Sequence, residues 1–205
     1  MNPWLLAFES VLLYLLPPVL IMTGLLPKFA VMPTLWAGFL YVAFVLRRDA
    51  PELLRFHFDR RAFRRILIRF VPLAALIVLF VWHFFPQLLF SLPQRNPLLW
   101  LLVLLLYPPL SALAQEVVFR AFFSYRFGSV ISNRTLFILC DALLFAYIHT
   151  VFGNPVAVLF TFIGGVLFMS TYLQTRSVTM STIEHALYGN LVFTLGIGQF
   201  FYRTG

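Results

Sequence analysis

The sequence predicts an all-α protein, a polytopic transmembrane bundle of about seven helices. Hydrophobic residues make up 61% of its 205 residues and charged residues only 11%, whereas about 25% of the residues in a soluble domain are charged. The hydrophobic residues also form runs near the roughly 20 residues that cross a bilayer. Because the length suits one domain, we expect residues 1–205 to form a single transmembrane domain in a lipid bilayer.

The predicted spans follow one another with short connections. In chain order they cover about residues 4–26, 29–46, 66–90, 98–123, 136–152, 156–173 and 178–202. Pro17 and Pro18 are expected to kink the first span. Gly164 and Gly165 are small enough to allow close helix contact in the sixth.

Arginines concentrate between the second and third spans. Residues 47–69 hold eight arginines against three acidic residues, Asp49, Glu52 and Asp59. This segment is expected to contain a short amphipathic helix at the membrane surface. Lipid-headgroup binding is a functional alternative, but an orientation signal explains the arginines more simply.

The positive-inside rule places this arginine-rich segment in the cytoplasm. Three further arginines then fall on the cytoplasmic side, and three basic residues fall outside: Arg126, Arg134 and Arg176 inside, and Lys28, Arg95 and Arg203 outside. Eleven basic residues on the cytoplasmic side against three on the outer side predict a multi-pass protein of a bacterial cytoplasmic membrane with a cytoplasmic N-terminus. The net charge of +8 is then explained by these loops, and no nucleic-acid partner is expected.

Polar residues inside the spans are concentrated in the second half of the chain. Spans four to seven contain Gln115, Glu116, Arg120, Asp141, His149, Glu184, His185 and Asn190. Apart from Arg69 and Gln87 near the ends of the third span, the earlier spans contain only Glu9 and His83. An interfacial position or an ion pair with a loop arginine explains Glu9 most simply, and an interfacial position explains His83. Since buried ionisable groups in a membrane mark functional sites, residues 98–202 are expected to form the core and residues 1–97 to supply further spans and the basic loop.

Three of these residues are predicted to meet in one cavity. With a rise of about 1.5 Å per residue, Glu116, His149 and His185 lie roughly 16, 20 and 10 Å from the cytoplasmic ends of their helices. Glu116 and Arg120 are four apart, so they share a helix face and can pair. The depths overlap within the error of the boundaries, which permits a shared site in the inner half of the membrane.

Two chemistries suit this set of side chains. A carboxylate with one histidine can activate water as a general base, while a second histidine and an amide donate hydrogen bonds to an oxyanion. Alternatively, Glu116, His149 and His185 match the ligands of a hydrolytic zinc site. Either arrangement hydrolyses a peptide bond, so the sequence leaves open whether a divalent metal such as zinc or no cofactor is used.

Structural roles remain alternatives for each residue. Glu116 and Arg120 could form only a stabilising ion pair, and His149 could be a core histidine bonded to a neighbouring carbonyl. Asp141 could orient His149 or cap the inner end of the fifth span, and Asn190 could join two helices. Glu184 is adjacent to His185 in the sequence, so on a helix its side chain points about 100° away from that of His185. This favours a contact for Glu184 outside the predicted site.

The three motifs that contain these residues resemble those of the CAAX protease and bacteriocin-processing family of intramembrane endopeptidases. The pattern Glu-Glu-x-x-x-Arg is approached by Gln-Glu-Val-Val-Phe-Arg at 115–120, Phe-x-x-x-His is met at 145–149, and His-x-x-x-Asn is approached at 185–190. The resemblance implies that a glutamate and His149 activate water, that His185 and an amide stabilise the oxyanion, and that Arg120 orients the glutamate.

The chain departs from that pattern at two positions. Gln115 replaces the first glutamate and cannot accept a proton at neutral pH. Gly189, not an amide, lies four residues after His185, and Asn190 follows it. We expect a variant subfamily in which Glu116 and Asn190 take over these roles.

The sequence therefore predicts an intramembrane endopeptidase, a hydrolase of the CAAX-protease type that cleaves a membrane-associated protein or peptide. Its predicted catalytic residues are Glu116, Arg120, His149, His185 and Asn190. A catalytically silent scaffold that binds membrane proteins is the main alternative, because of Gln115. A small transporter is a third, although the first half lacks the polar residues that a repeat transporter would need.

Overall fold

The computed structural model describes residues 3–202, which form helices and turns with no β-strand among them. The predicted all-α bundle is therefore confirmed. The long helices are α1 (Pro3–Met22), α2 (Val31–Asp49), α3 (Arg60–Phe84), α4 (Pro97–Phe127), α5 (Arg134–Ile148), α6 (Pro155–Thr175) and α7 (Val178–Thr194). A short helix, Ser91–Arg95, lies between α3 and α4. Arg203, counted above on the outer side, lies outside the described residues.

Within residues 3–202, six helical stretches are long and apolar enough to cross a membrane. They correspond to α1 to α6, with α2 extended by a 3₁₀ turn at its start and α5 by one at its end. The predicted seventh span differs because α7 has 17 residues and ends at Thr194. Gly196 then adopts a left-handed conformation with φ 85°, which terminates the helix, and the 3₁₀ turn Ile197–Phe201 follows.

Polar caps fix the starts of several helices. The Asp59 carboxylate accepts hydrogen bonds from the backbone N–H groups of Arg61 and Ala62, at 2.8 and 3.1 Å, at the start of α3. These two hydrogen bonds, of which the one from Ala62 has the larger effect, hold the pKa of the Asp59 carboxyl below its usual value. The Ser177 side chain similarly accepts from the backbone N–H of Met180 at the start of α7. Such caps satisfy N–H groups that have no partner inside the helix.

The arginine-rich segment does not contain the separate amphipathic helix that the sequence predicts. Helix α2 continues to Asp49, a 3₁₀ turn covers Pro51–Leu53, and α3 begins at Arg60. Asp59 explains the difference, because its cap starts a helix that runs without a break into the third span. Arg69 consequently lies inside α3 and not in the loop.

Helix α4 lies at the centre of the bundle. All of its residues from 114 to 124 are buried, and its neighbours in the main hydrophobic core come from α1, α2, α5, α6 and α7. Two π-helical turns, Pro108–Ala112 and Val117–Phe122, lie on the two sides of Gln115 and Glu116. The prolines at 108 and 109 carry no N–H group, so regular α-helical hydrogen bonding cannot continue there.

Helices α5 and α6 pack closely at a glycine, as the sequence predicts. A Cβ atom added to Gly165 would lie 2.7 Å from the Cα atom and 3.0 Å from the Cβ atom of Ala142. The two backbones approach this closely because residue 165 has no side chain. This contact fixes the position of α5, which carries His149 near its end, relative to the centre of the bundle.

Candidate active site

Gln115 and Glu116 are adjacent on α4 but face different surroundings. Gln115 lies on the wall of a cavity of about 1240 Å³. Its Nε2 donates to the hydroxyl of Ser111 at 2.8 Å, while its buried Oε1 has no hydrogen-bond partner among residues 3–202. Glu116 is fully buried and is not part of that wall. The motif therefore presents an amide to the cavity and places its carboxylate behind it.

Glu116 joins α4 to α7 through a hydrogen bond to His185. The distance between Oε1 of Glu116 and Nδ1 of His185 is 2.9 Å. Its second oxygen, Oε2, accepts from Nε of Arg120 at 3.2 Å. Both carboxylate oxygens are thus engaged, one by a histidine on another helix and one by an arginine on its own helix.

Arg120 is the centre of a buried ion-pair network. Its side chain is fully buried, as are those of Glu116 and Asp141, and its Nη1 forms a second ion pair with Asp141 on α5. The guanidinium also lies 4.6 Å from the ring centroid of Phe145, close enough for a cation–π interaction. Arg120 therefore holds Glu116 in place and ties α4 to α5.

His185 lies on the cavity wall with its ring held on several sides. The ring stacks on Phe168 at a centroid distance of 4.5 Å and an interplanar angle of 16°. Tyr107 and Phe145 contact it edge-on. Because a carboxylate only accepts hydrogen bonds, Nδ1 of neutral His185 carries the proton and donates to Glu116. The lone pair of the neutral ring is therefore on Nε2.

His149 has the same tautomer for a different reason. Its Nδ1 lies 2.6 Å from the backbone carbonyl oxygen of Phe145, which can only accept, so Nδ1 carries the proton. His149 also lies on the cavity wall. The ring of Phe145 contacts both histidines, at centroid distances of 4.8 Å to His149 and 5.6 Å to His185. The cavity thus brings together one histidine from the 3₁₀ turn that follows α5 and one from α7.

Asn190 does not join this group. Its Nδ2 donates to the backbone carbonyl of Leu104 on α4 at 3.3 Å, and it is not part of the cavity wall. Helix α7 has no bulge near this position, so the residue stays turned away from the face of His185. Gly189 occupies the wall instead, opposite the ring of Tyr107. The interhelical role considered for Asn190 matches this geometry.

The other predicted polar residues form structural contacts. Asp141 pairs with Arg120 and not with His149. Glu184 is fully buried and pairs with Arg69 on α3, and Thr171 on α6 also donates to it at 2.6 Å. These contacts account for two acidic side chains that lie near the site but take no part in its wall.

Glu9 pairs with Arg126, as its simplest explanation requires. The ion-pair distance between its Oε2 and Nε of Arg126 is 2.5 Å, and its Oε1 also accepts from the hydroxyl of Tyr41 at 2.5 Å. This buried contact connects α1, α2 and the end of α4. His83, in contrast, is exposed near the end of α3.

The three side chains proposed as metal ligands do not fit a metal site. Among residues 3–202 no group of three or more histidine, cysteine or acidic side chains is arranged to hold a metal ion. Glu116 uses one oxygen for Nδ1–H of His185 and the other for Arg120. A cation at this carboxylate would compete with the positive charge of Arg120, so we derive no step through a metal.

The cavity wall is mostly apolar and is built by both halves of the chain. Residues of α1, α2 and α3 contribute alongside those of α4 to α7. Its polar members include Gln115, Ser111, Tyr107 and Tyr188. Tyr107 is not among the site residues that the sequence predicts, although it is the only hydroxyl-bearing residue of the apolar run 97–110.

Comparison with known proteins matches the part of the chain that carries these residues. The model of the family described as type II CAAX prenyl endopeptidase Rce1-like matches residues 94–191, slightly less than half of the chain. This match supports the CAAX protease and bacteriocin-processing family for residues 94–191. No curated protein and no solved structure gave a significant match.

The range that is similar to this family of membrane proteases covers α4, α5, α6 and most of α7. The matched range contains all three segments that resemble the family's motifs, at 115–120, 145–149 and 185–190. Helices α1 to α3 precede the matched range, yet they complete the wall of the cavity.

Proposed function

We propose that the chain is an intramembrane endopeptidase that hydrolyses a peptide bond of a membrane-associated protein or peptide. The observation that carries this proposal is the hydrogen bond of 2.9 Å between Glu116 and His185, with His185 on the wall of a large apolar cavity. A buried carboxylate behind a histidine fixes its tautomer and stabilises the imidazolium that forms when it accepts a proton. Family membership supports proteolysis as the reaction.

The geometry favours a different division of roles from the one the sequence suggested. His185, not Glu116, presents a lone pair to the cavity and would be the general base. Glu116 orients it, and Arg120 holds Glu116. His149, whose Nε2 is also an acceptor, would bind the second hydrogen of the attacking water and orient it. Asn190, turned towards Leu104, would keep α7 against α4.

The proposed reaction transfers one proton in each direction. The oxygen of water attacks the peptide carbonyl carbon, one O–H bond breaks, and its proton moves to Nε2 of His185. The π electrons of the carbonyl move to its oxygen and form an oxyanion. When this intermediate collapses, the C–N bond breaks and the leaving nitrogen takes the proton from His185. The products are a carboxylic acid and an amine, and the histidine is neutral again.

Turnover of a membrane-peptide library by the purified full-length protein tests the proposal. We expect His185→Ala to lower kcat by about 10²–10⁴, the usual range for loss of a general base. Glu116→Gln should also lower kcat, because it removes the carboxylate that orients this base. His83→Ala and Glu52→Gln are matched controls, because both residues are exposed and distant in sequence from the motifs. Cleavage products identified by mass spectrometry give the site of hydrolysis.

Two results of this assay would contradict the mechanism. If His185→Ala or Glu116→Gln turned over substrate as fast as the controls, His185 would not be the general base that Glu116 orients. Loss of turnover after treatment with a chelator, with recovery on addition of zinc, would show that a metal acts in spite of the geometry of Glu116. We expect turnover to be unchanged by the chelator.

Gln115 favours a second candidate function, a scaffold that binds membrane proteins without cleaving them. An amide stands on the cavity wall where the family pattern has a glutamate, and an amide cannot act as a base at neutral pH. A scaffold would bind members of the library and release them uncleaved. Cleavage that depends on His185 excludes it.

We further propose that the N-terminus lies in the cytoplasm, within a bacterial inner membrane. The support is the excess of arginines in the segments that would then be cytoplasmic. Reporter fusions at the N-terminus and in the 50–59 loop test the orientation. Both should report a cytoplasmic position, and a periplasmic signal from the loop would reverse the topology.

A further inference from the structure

The two cavity histidines leave the oxyanion without a donor. In both neutral rings the proton is on Nδ1, where it is used by Glu116 and by the carbonyl of Phe145. Their Nε2 atoms accept hydrogen bonds and do not donate them. The amide group of Asn190 donates to Leu104 and is off the wall. Hydrolysis of an amide needs a donor at the developing negative charge, so another group must supply it.

Tyr107 occupies the position that a side chain at residue 189 would take. Gly189 is four residues after His185 on α7, so both lie on the same helix face. A Cβ atom on Gly189 would lie 2.6 Å from both Cζ and Oη of Tyr107, which is closer than real side chains come. The phenol therefore fills the space next to His185 on the wall of the cavity.

The hydroxyl of Tyr107 is not engaged in a hydrogen bond to another described residue. Among residues 3–202 its ring contacts His185 at a centroid distance of 5.9 Å and Phe193 at 5.4 Å, and it also packs against Gly189. It has no hydrogen-bond partner in the part of the chain that the structure describes. A buried or partly buried hydroxyl usually finds one, so this donor is available to a substrate in the cavity.

We propose that Tyr107 is a catalytic residue whose hydroxyl donates a hydrogen bond to the oxyanion of the tetrahedral intermediate. The inference rests on the proposed peptidase function and adds a group that none of the three motifs contains. Tyr107 takes the place of an amide four residues after His185, and Gly189 is required because it leaves room for the ring. The phenol stays protonated throughout and transfers no proton.

The substitution Tyr107→Phe tests the donor while keeping the ring. We expect kcat to fall by about 10²–10³, the usual loss for one oxyanion donor, with little change in KM. The pH dependence of kcat should keep its shape, because His185 remains the base. Tyr125→Phe is the matched control, since Tyr125 is on the same helix but does not line the cavity, and its hydroxyl donates to Asp49 at 3.4 Å.

A double substitution separates catalysis from packing. Tyr107→Ala removes ring and donor together, whereas Tyr107→Ala with Gly189→Asn puts an amide into the vacated space. We expect the double variant to recover at least part of the turnover lost by Tyr107→Ala. A purely structural role for the ring predicts no such recovery and no effect of Tyr107→Phe.

The possible failures can be told apart. If the wild type cleaves and His185→Ala does not, but Tyr107→Phe turns over at the wild-type rate, the peptidase function stands and the role of Tyr107 is overturned. An altered pH profile in Tyr107→Phe would assign proton transfer to the phenol and contradict its role as a neutral donor. If the wild type cleaves nothing, both proposals fall.

Discussion

Arg120 shows how one side chain can satisfy two buried carboxylates. Glu116 and Asp141 are both fully buried, and each pairs with a different nitrogen of the same guanidinium. Arginine suits this position because its planar group presents several donors in fixed directions, whereas lysine presents a single charged nitrogen. The network therefore depends on arginine specifically. Any catalytic role of Glu116 depends on this network, because it holds the carboxylate in its position behind His185.

Loss of Arg120 should destabilise the protein strongly. In Arg120→Ala two carboxylates stay buried without their partner, and breaking a buried pair in this way costs about 3–5 kcal/mol. Unfolding of the purified protein in detergent with increasing denaturant measures the change in the free energy of unfolding. The side chain of Arg48 is 65% exposed in its pair with Asp49, so Arg48→Ala should cost no more than about 1 kcal/mol. Equal losses in the two variants would contradict the network.

For single residues, the sequence predicts contacts between residues close together in the chain better than contacts between residues far apart in it. The Glu116–Arg120 pair follows from a spacing of four on a helix. The contact between Glu116 and His185 joins residues 69 apart, and no local pattern specifies which faces of α4 and α7 meet. Asp141 was assigned to His149 or to a helix end for the same reason, because its true partner lies on another helix.

At the scale of single helices, α4 owes its role to its irregular turns. It has π-helical turns on both sides of Gln115 and Glu116, and such turns are frequent at functional sites. The doubled proline at 108 and 109 gives a local cause for the first turn. The second turn has no such marker in the sequence, so the direction in which Glu116 points could not be derived from the motif.

The close contact of α5 and α6 gives a test with adjacent residues. A Cβ atom on Gly165 would meet the backbone of Ala142 at 2.7 Å, whereas one on Gly164 would meet only the ring of Phe168, at 3.0 Å. Because backbone yields less easily than a side chain, Gly165→Ala should cost about 1–3 kcal/mol and Gly164→Ala less. Unfolding in detergent compares the two. A larger loss in Gly164→Ala would show that the helices are not in contact as described.

Helix number and approximate position followed from hydropathy, while helix ends did not. The apolar runs locate α1 to α7 because a bilayer-spanning helix needs a long apolar segment. The start of α3 was missed by six residues because its cap, Asp59, lies within a charged segment that hydropathy excludes. The end of α7 was missed because the apolar run continues beyond Gly196, where the backbone turns out of the helix.

At the scale of the whole molecule, the two halves of the chain form one structure around the cavity. The hydroxyl of Tyr14 on α1 donates to the backbone carbonyl of Val118 on α4 at 2.9 Å. This bond satisfies a carbonyl within the second π-helical turn. Together with the buried pair of Glu9 and Arg126, it holds α1 against the helix that carries the first motif. The family match begins after α1, α2 and α3, yet these three helices form part of the site's environment.

The wall contributed by the first half should affect substrate binding more than chemistry. Gly38 on α2 lines the cavity, and a Cβ atom there would lie 3.5 Å from the side chain of Leu13, an ordinary contact. Gly38→Leu should therefore fold and place extra bulk beside the apolar wall. Misfit of a few methylene groups in such a pocket costs about 1–3 kcal/mol, or 10–200-fold, so we expect KM to rise by roughly 10-fold or more with kcat little changed.

The kinetic split decides whether the cavity is where the substrate lies. Gly24→Leu is not a suitable control, because Gly24 has a positive φ of 77° that a leucine would strain. Leu40→Phe is preferable, since Leu40 is on the same helix, is 63% exposed and is not part of the wall. If Gly38→Leu lowered kcat as much as Glu116→Gln does, the first half would act on the catalytic groups. Unchanged KM in Gly38→Leu, measured with the best library peptide, would place the substrate elsewhere.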